Sequence, residues 1–171
     1  MEKKITSHVT KGLIISLVLI VLGLAFYFTG LYLENWYQYV VMLIYVVAII
    51  WATLSFGKEN DNAVTFGNLF AHGFKTAAVV TCIMIVYSLV FGYIFPEMRE
   101  KIIEKTQEEM ANNPKVTQAQ IDQTIEIMKK SFTVFLILGV IFWYLLAGVI
   151  ASLIGAGVAK KNPPSPFQPQ A

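Results

Sequence analysis

Few residues in this chain have the types and spacing that chemistry needs. In the stretch TFGNLFAHGFKTAAVV, residues 65–80, His72 and Lys75 press against a long apolar run. An imidazole and an ammonium three residues apart on a helix are neighbours, and such a pair in a membrane would hold a proton or an anion. Set on a helix, Phe66, Leu69, Phe70, Gly73, Phe74 and Ala77 share one apolar face, while Asn68, His72 and Lys75 take the opposite one. That pattern predicts an amphipathic turn lying in a membrane interface, N-capped by Thr65 and bending inward near Gly73. Lys75 then reaches the headgroups along its aliphatic stem, and His72 sits on the wet face with no chemical role.

A second candidate is the row Glu100, Glu104 and Glu108, whose four-residue spacing aligns three carboxylates for a cation. Lys101 and Lys105 stand beside them and compensate the charge, so the row reads as a solvated helix face. Cys82 is the single cysteine, which excludes an intramolecular disulfide, a thiolate zinc site and a CxxC pair, and its apolar flanks predict a small packing residue. No Asp, Glu, Arg, Lys or His falls within the apolar core of any long hydrophobic segment. The paired acids, Ser-His sets and HExxH motif of intramembrane hydrolases are therefore missing. No catalytic, cofactor-binding or metal-ligating residue is assigned, no cofactor is expected, and the chain is not expected to be an enzyme.

The elements that would carry these residues are apolar and long. Of 171 residues, 56% are hydrophobic and 14% charged, against about 25% charged in an ordinary soluble domain. A net charge of +2, without interleaved aromatic and basic surface, speaks against a nucleic-acid partner. Gly12–Leu33 carries no charge and is long enough to cross a hydrocarbon core, which takes about 20 residues. It is too long for a signal peptide and is followed at once by a second span, so it is expected to be retained. Trp36–Phe56 is that second span, joined through Glu34 and Asn35 in a tight antiparallel hairpin. Thr76–Phe95 is the third, ended by Pro96. Phe132–Ala159 is the fourth, ended by Lys160, Lys161 and the tail NPPSPFQPQA.

Lysines set the orientation. Lys3, Lys4, Lys11, Lys58, Lys75, Lys160 and Lys161 fall on one side, opposed only by Glu2, Glu59 and Asp61. On the other side acidic residues outnumber basic ones between Glu97 and Lys130. Both termini are accordingly expected in the cytoplasm of a bacterial inner membrane, with Tyr27, Tyr32, Trp36, Tyr37 and Tyr39 forming an aromatic belt at the outer end of the first hairpin.

Small residues predict how the spans pack, because helices in lipid associate through close approach. In the fourth span Ala147, Ala151, Gly155 and Ala159 form one row, with Gly148, Ser152 and Ala156 beside it. Ala77, Ala78 and Thr81 of the third span face them. The first span offers Gly12, Ser16, Gly23 and Gly30, and the second Ala48, Ala52 and Ser55. Two adjacent rows on one helix serve either an intramolecular contact alone or an intramolecular contact together with a homo-oligomer contact.

The segment between the third and fourth spans reads as a helical hairpin. Met98, Ile102, Thr106 and Met110 line one arm with Ile103 beside them, Asn112, Asn113 and Pro114 break it, and Thr117 with Gln120 makes a capping box. The second arm runs through Ile121, Ile125 and Met128 to Phe132.

The fold expected is an all-α membrane protein, four transmembrane helices in a compact bundle with an extracytoplasmic helical hairpin between spans 3 and 4. Its segments are a cytoplasmic N-terminus (1–11), a transmembrane hairpin (12–57), a cytoplasmic loop with the interfacial turn (58–75), span 3 (76–95), the outer hairpin (96–131), span 4 (132–159) and a disordered Pro-rich cytoplasmic tail (160–171). This order, together with the entry motif Phe70, Gly73, Phe74 and Lys75, Pro96 after the third span, and NNPKVTQAQIDQTIEIMKK before the last, resembles an uncharacterised family. It is a domain-of-unknown-function family of small four-helix membrane proteins found mainly in Bacteroidota. The resemblance runs from about Thr10 to Lys160; it implies an inner-membrane location and supplies no catalytic residues. The expected role is that of a non-enzymatic scaffold or accessory subunit acting through helix packing and the outer hairpin, its contacts being membrane lipid and a protein partner or a second copy. A small oligomeric transporter or pore is the alternative.

Overall fold

In the computed structural model, which describes residues 5–162, every regular element is a helix and no strand occurs among the described residues. The basic start Lys3–Lys4 and the Pro-rich tail beyond Asn162 lie outside the described residues. The order is α1 (His8–Phe28), a short 3-10 turn (Leu31–Leu33), α2 (Tyr37–Glu59), α3 (Phe66–Ile94), α4 (Glu97–Ala111) and α5 (Gln118–Val158). The helices α1, α2, α3 and α5 are each long and apolar enough to cross a membrane.

Local chemistry sets the ends. Ser7 opens α1 by accepting a hydrogen bond from the Thr10 N–H, one turn ahead of the uncharged run, so Lys11 falls inside the helix. The first helix stops at Phe28, short of Leu33, because Gly30 takes a left-handed turn at φ 76°. Gly30 is thus an exposed turn residue, which corrects its place in the packing stripe of the first span. Thr65 caps α3 through the Asn68 N–H as expected. The bend expected near Gly73 is absent, since Phe66–Ile94 is a single helix.

Two compact units divide the chain, Met1–Ile83 with Trp143–Ala171, and Met84–Phe142. In the first, Tyr45 of α2 is fully buried and donates through its hydroxyl to the Tyr144 carbonyl of α5 at 2.9 Å. Small residues let the backbones close on it. A Cβ on Gly148 would stand 2.5 Å from Ala77 Cβ and 2.7 Å from the Tyr45 hydroxyl, and one on Gly155 would stand 2.9 Å from Thr53 Cβ. Both small rows of α5 are therefore occupied within the chain, one against α3 and Tyr45, the other against α2. Gly12 of α1 meets Val79 of α3 in the same way, at 2.6 Å. Cys82 is exposed rather than packed, because Thr81 takes the inward position beside it.

The second unit holds a hairpin with its own core. Ile103 of α4 packs with Ile121 and Ile125 of α5, flanked by Met110, Val116, Met128 and Phe132. The inward line of α4 is centred on Ile103, and Ile102 is the half-buried neighbour, reversing the order expected for that arm. Thr117 and Gln120 form the capping box, the Thr117 N–H donating to Gln120 Oε1 at 2.9 Å. Helix α5 breaks at Ser131 (φ −119°, ψ 21°), where the hairpin arm gives way to the apolar run. Arg99 closes the base of the hairpin, donating to the Lys129 carbonyl and lying 5.5 Å from the centre of the Phe132 ring. Glu100, Glu104 and Glu108 are exposed, as a solvated face should be, and the described residues contain no metal-binding group of three.

Candidate functional site

The charged groups that sequence placed outside the spans come together at one end of the first unit. Lys11 of α1 is 1% exposed, and its ammonium lies 3.0 Å from Glu59 Oε1 at the end of α2 and 3.4 Å from the Ala52 carbonyl. The same Glu59 oxygen accepts from the Ser55 hydroxyl at 2.7 Å, while Oε2 accepts from the Thr6 N–H at 2.7 Å. One carboxylate thus ties the last turn of α2 to α1 and to the segment that precedes it. An ammonium removed from water carries a large desolvation cost unless it is paired and hydrogen-bonded, and here it is both.

His72 lies next to this pair. Its ring stacks on Phe56 with centroids 4.0 Å apart at 9°, and meets His8 edge-on at 6.1 Å. Lys11 is 5.9 Å from the centre of the same Phe56 ring. The charged and titratable groups acting on His72 are Lys11 and His8 from α1, Glu59 from α2 and Lys75 from its own helix. His72 is 7% exposed and its Nε2 has no hydrogen-bond partner in the protein.

This overturns the wet-face reading of His72. The 3.6-residue repeat assigns a helix one buried stripe, but at His72 α3 is covered by Phe56 of α2 and His8 of α1, so this one residue of the polar stripe is buried while Asn68 is exposed. Lys75 does stay exposed. The apolar cores of the spans still hold no charge, but α1 and α2 extend beyond them far enough to bury Lys11 against Glu59.

Sequence reasoning missed Lys11 and Glu59 because it began the first span at Gly12 and ended the second at Phe56. Two signals were available. Ser7 marks a helix start one turn ahead of Lys11, and Ser55 with Glu59 has the four-residue spacing of a helical hydrogen bond.

Beside the ion pair runs a groove of about 300 Å³ lined by Trp51, Leu54, Ser55, Lys58 and Glu59. Nearby, Lys161 closes the C-terminus of α5, its ammonium 2.6 Å from the Ala156 carbonyl and 5.7 Å from the centre of the Phe66 ring.

Residues 10–161 match the family described as Protein of unknown function (DUF4199). The chain belongs to this family. No curated protein and no solved structure matches it. The DUF4199 match takes in both units, so the resemblance drawn from the entry motif, Pro96 and the outer segment is borne out. It also covers Lys11, Ser55, Glu59 and His72, while Thr6 and His8 precede it. What the cluster can do chemically is hold charge and fix three chain segments, with a lone imidazole nitrogen left over.

Proposed function

We propose that this DUF4199 protein is a multi-pass protein of the bacterial inner membrane, with both termini in the cytoplasm, that works without catalysing a reaction as an accessory or scaffold subunit. Its outer hairpin does the recognising. The observation that carries this reading is the hairpin's separate core of Ile103, Ile121 and Ile125, with its capping box and its base closed by Arg99. A mere connector between two helices needs none of these. A rigid surface with charged residues facing outward is what a protein partner reads. The lysine asymmetry supports the orientation.

Replacing residues 101–123 by a Gly/Ser linker of similar reach, followed by affinity purification from native membranes, tests the role. The partner captured with the parent chain is expected to be lost, and its retention would overturn the reading. For orientation, Asn113→Cys in a Cys82→Ser background is expected to react with an impermeant thiol reagent in cells whose outer membrane is permeabilised, and labelling only after lysis would reverse it.

One observation favours the second reading, a small transporter. The buried Lys11–Glu59 pair beside His72 supplies the partnered ionisable groups that coupled transport uses.

A further inference from the structure

The hairpin of the second unit is joined to the apolar helices through two breaks of different kinds. Between α3, which ends at Ile94, and α4, which begins at Glu97, stands Pro96, whose nitrogen has no hydrogen to continue a helical ladder. That break is covalent and permanent. In α5 the break is a single residue, Ser131, with no proline or glycine within four positions of it. Lys130, the residue before, still pairs with Glu126 one turn back at 3.3 Å, as neighbours on a regular helix do.

Sharp bends in helices come from proline, from glycine and serine pairs, from an extra residue in a turn, or from a side chain or water that intrudes on the hydrogen-bond ladder. A serine alone is not enough, because Ser152 of the same helix bonds back to the Gly148 carbonyl and α5 runs unbroken there. The intruding group at Ser131 is Arg99 of α4. Its guanidinium donates to the Lys129 carbonyl, which an unbroken helix offers to the amide of residue 133, and it lies 5.5 Å from the centre of the Phe132 ring. One side chain of the facing arm thus grips α5 on both sides of its bend. The arms themselves form one body, since Ile103 packs with Ile121 and Ile125 on the hairpin side of both breaks.

We propose that Arg99 is a latch and that α5 has two courses, bent at Ser131 while Arg99 engages it and continuous through Ser131 when Arg99 lets go, the hairpin swinging as one body about the break at Pro96. Arg99 is exposed, so a group that binds its guanidinium competes with the Lys129 carbonyl, and contact at the base of the hairpin changes the course of α5. The inference rests on the geometry of the hairpin and not on the partner or membrane readings above, so each can fail alone.

The test puts nitroxide labels at Asn113→Cys and Tyr93→Cys, both exposed positions, in a Cys82→Ser background of the full chain, and reads their separation by double electron–electron resonance. Helix α4 is about 22 Å long at 1.5 Å per residue, so a swing of about 20° moves the hairpin tip by about 8 Å. Carbon-13 labelling of serine reports whether Ser131 is helical. The parent chain is expected to give one main separation and a non-helical Ser131 shift. In Arg99→Gln a second separation is expected to gain about fivefold in population, the weight of about one net hydrogen bond, and the Ser131 shift is expected to move to the helical value. Lys101→Ala, at an exposed lysine of the same arm, changes neither. Hydrogen exchange shows whether the hairpin core survives, and the amides of Ile103 and Ile121 are expected to keep their protection in Arg99→Gln. An unchanged separation or an unchanged Ser131 shift in Arg99→Gln overturns the proposal, as does the same change in Lys101→Ala. Loss of protection at Ile103 and Ile121 overturns it too, because Arg99 would then hold the hairpin together rather than hold α5 bent.

Discussion

In the unit that holds Tyr45 the buried positions include Ser16, Thr53, Thr76, Thr81, Ser152 and several glycines among aliphatic residues such as Leu19, Ile49 and Leu69, whereas between α4 and α5 they hold Ile103, Ile121 and Ile125. The outer faces are reversed as well. Leu13, Leu17 and Val21 of α1 point outward, with Leu17 63% exposed, while the exposed faces of the hairpin carry Glu100, Glu104, Glu108 and Lys101. Each buried hydroxyl of the first group bonds to the carbonyl four residues before it in its own helix, as Thr53 does to Ile49 at 2.9 Å and Ser152 to Gly148 at 2.6 Å. Such a hydroxyl is satisfied without help from a neighbouring helix and leaves its methyl or its small bulk for contact. On the membrane reading proposed above, the two regions meet different solvents. In water, burying isoleucine removes apolar surface and drives association. In lipid that drive is gone, and closeness of backbone contact decides packing.

The largest effect on this contrast is expected from Glu59→Ala, which strands the buried Lys11 ammonium. Losing one partner of a buried pair costs about 3 to 5 kcal/mol, read as a fall in the unfolding midpoint in detergent. Lys11→Met combined with Glu59→Gln is expected to recover most of it. A Glu59→Ala midpoint within about 1 kcal/mol of the parent would mean that the pair does not close this end of the helices.

Next is Ile121→Ala, at about 2 to 4 kcal/mol for a buried aliphatic side chain. Its damage should stay in the hairpin, so hydrogen exchange is expected to rise across α4 while the amides around Tyr45 keep their protection. Uniform loss would show that the hairpin core is not separate.

Gly155→Leu follows at about 1 to 3 kcal/mol, since even a Cβ there would meet Thr53 at 2.9 Å. The same exchange at Gly157, where an added Cβ meets nothing within 4 Å, should leave the unfolding midpoint unchanged. Equal effects at the two glycines would remove the case for close backbone packing.

The smallest change is expected from His72→Phe, under about 1 kcal/mol, because it keeps a ring on Phe56 while removing the unpartnered Nε2. Abundance and cellular function are then both retained. Loss of function at normal abundance would assign the imidazole a chemical task and favour the transporter reading.

Much of the helix pattern was legible from single residues. Thr65, the Thr117–Gln120 box and Pro96 mark helix ends through bonds made within a few residues, and the boundary before Phe132 shows as a change from charged to apolar sequence that coincides with the break at Ser131. The facing of Gly148 and Gly155 toward other helices was legible too, as small residues at four-residue spacing. The polar cluster was not. Lys11, Glu59 and His72 are separated by long stretches of sequence, and each alone resembles a charge or imidazole at a span end.

Composition and periodicity by themselves determined that the chain is four long apolar helices with an amphipathic hairpin, because helix length, capping and facing are local properties of consecutive residues. The tertiary structure decided which polar residues are buried. Burial depends on what covers a face: Phe56 and His8 cover His72, and Glu59 reaches both Lys11 and the Thr6 N–H. Periodicity tells a helix which of its faces differ, and only the neighbouring helices determine how many of those faces lose their solvent.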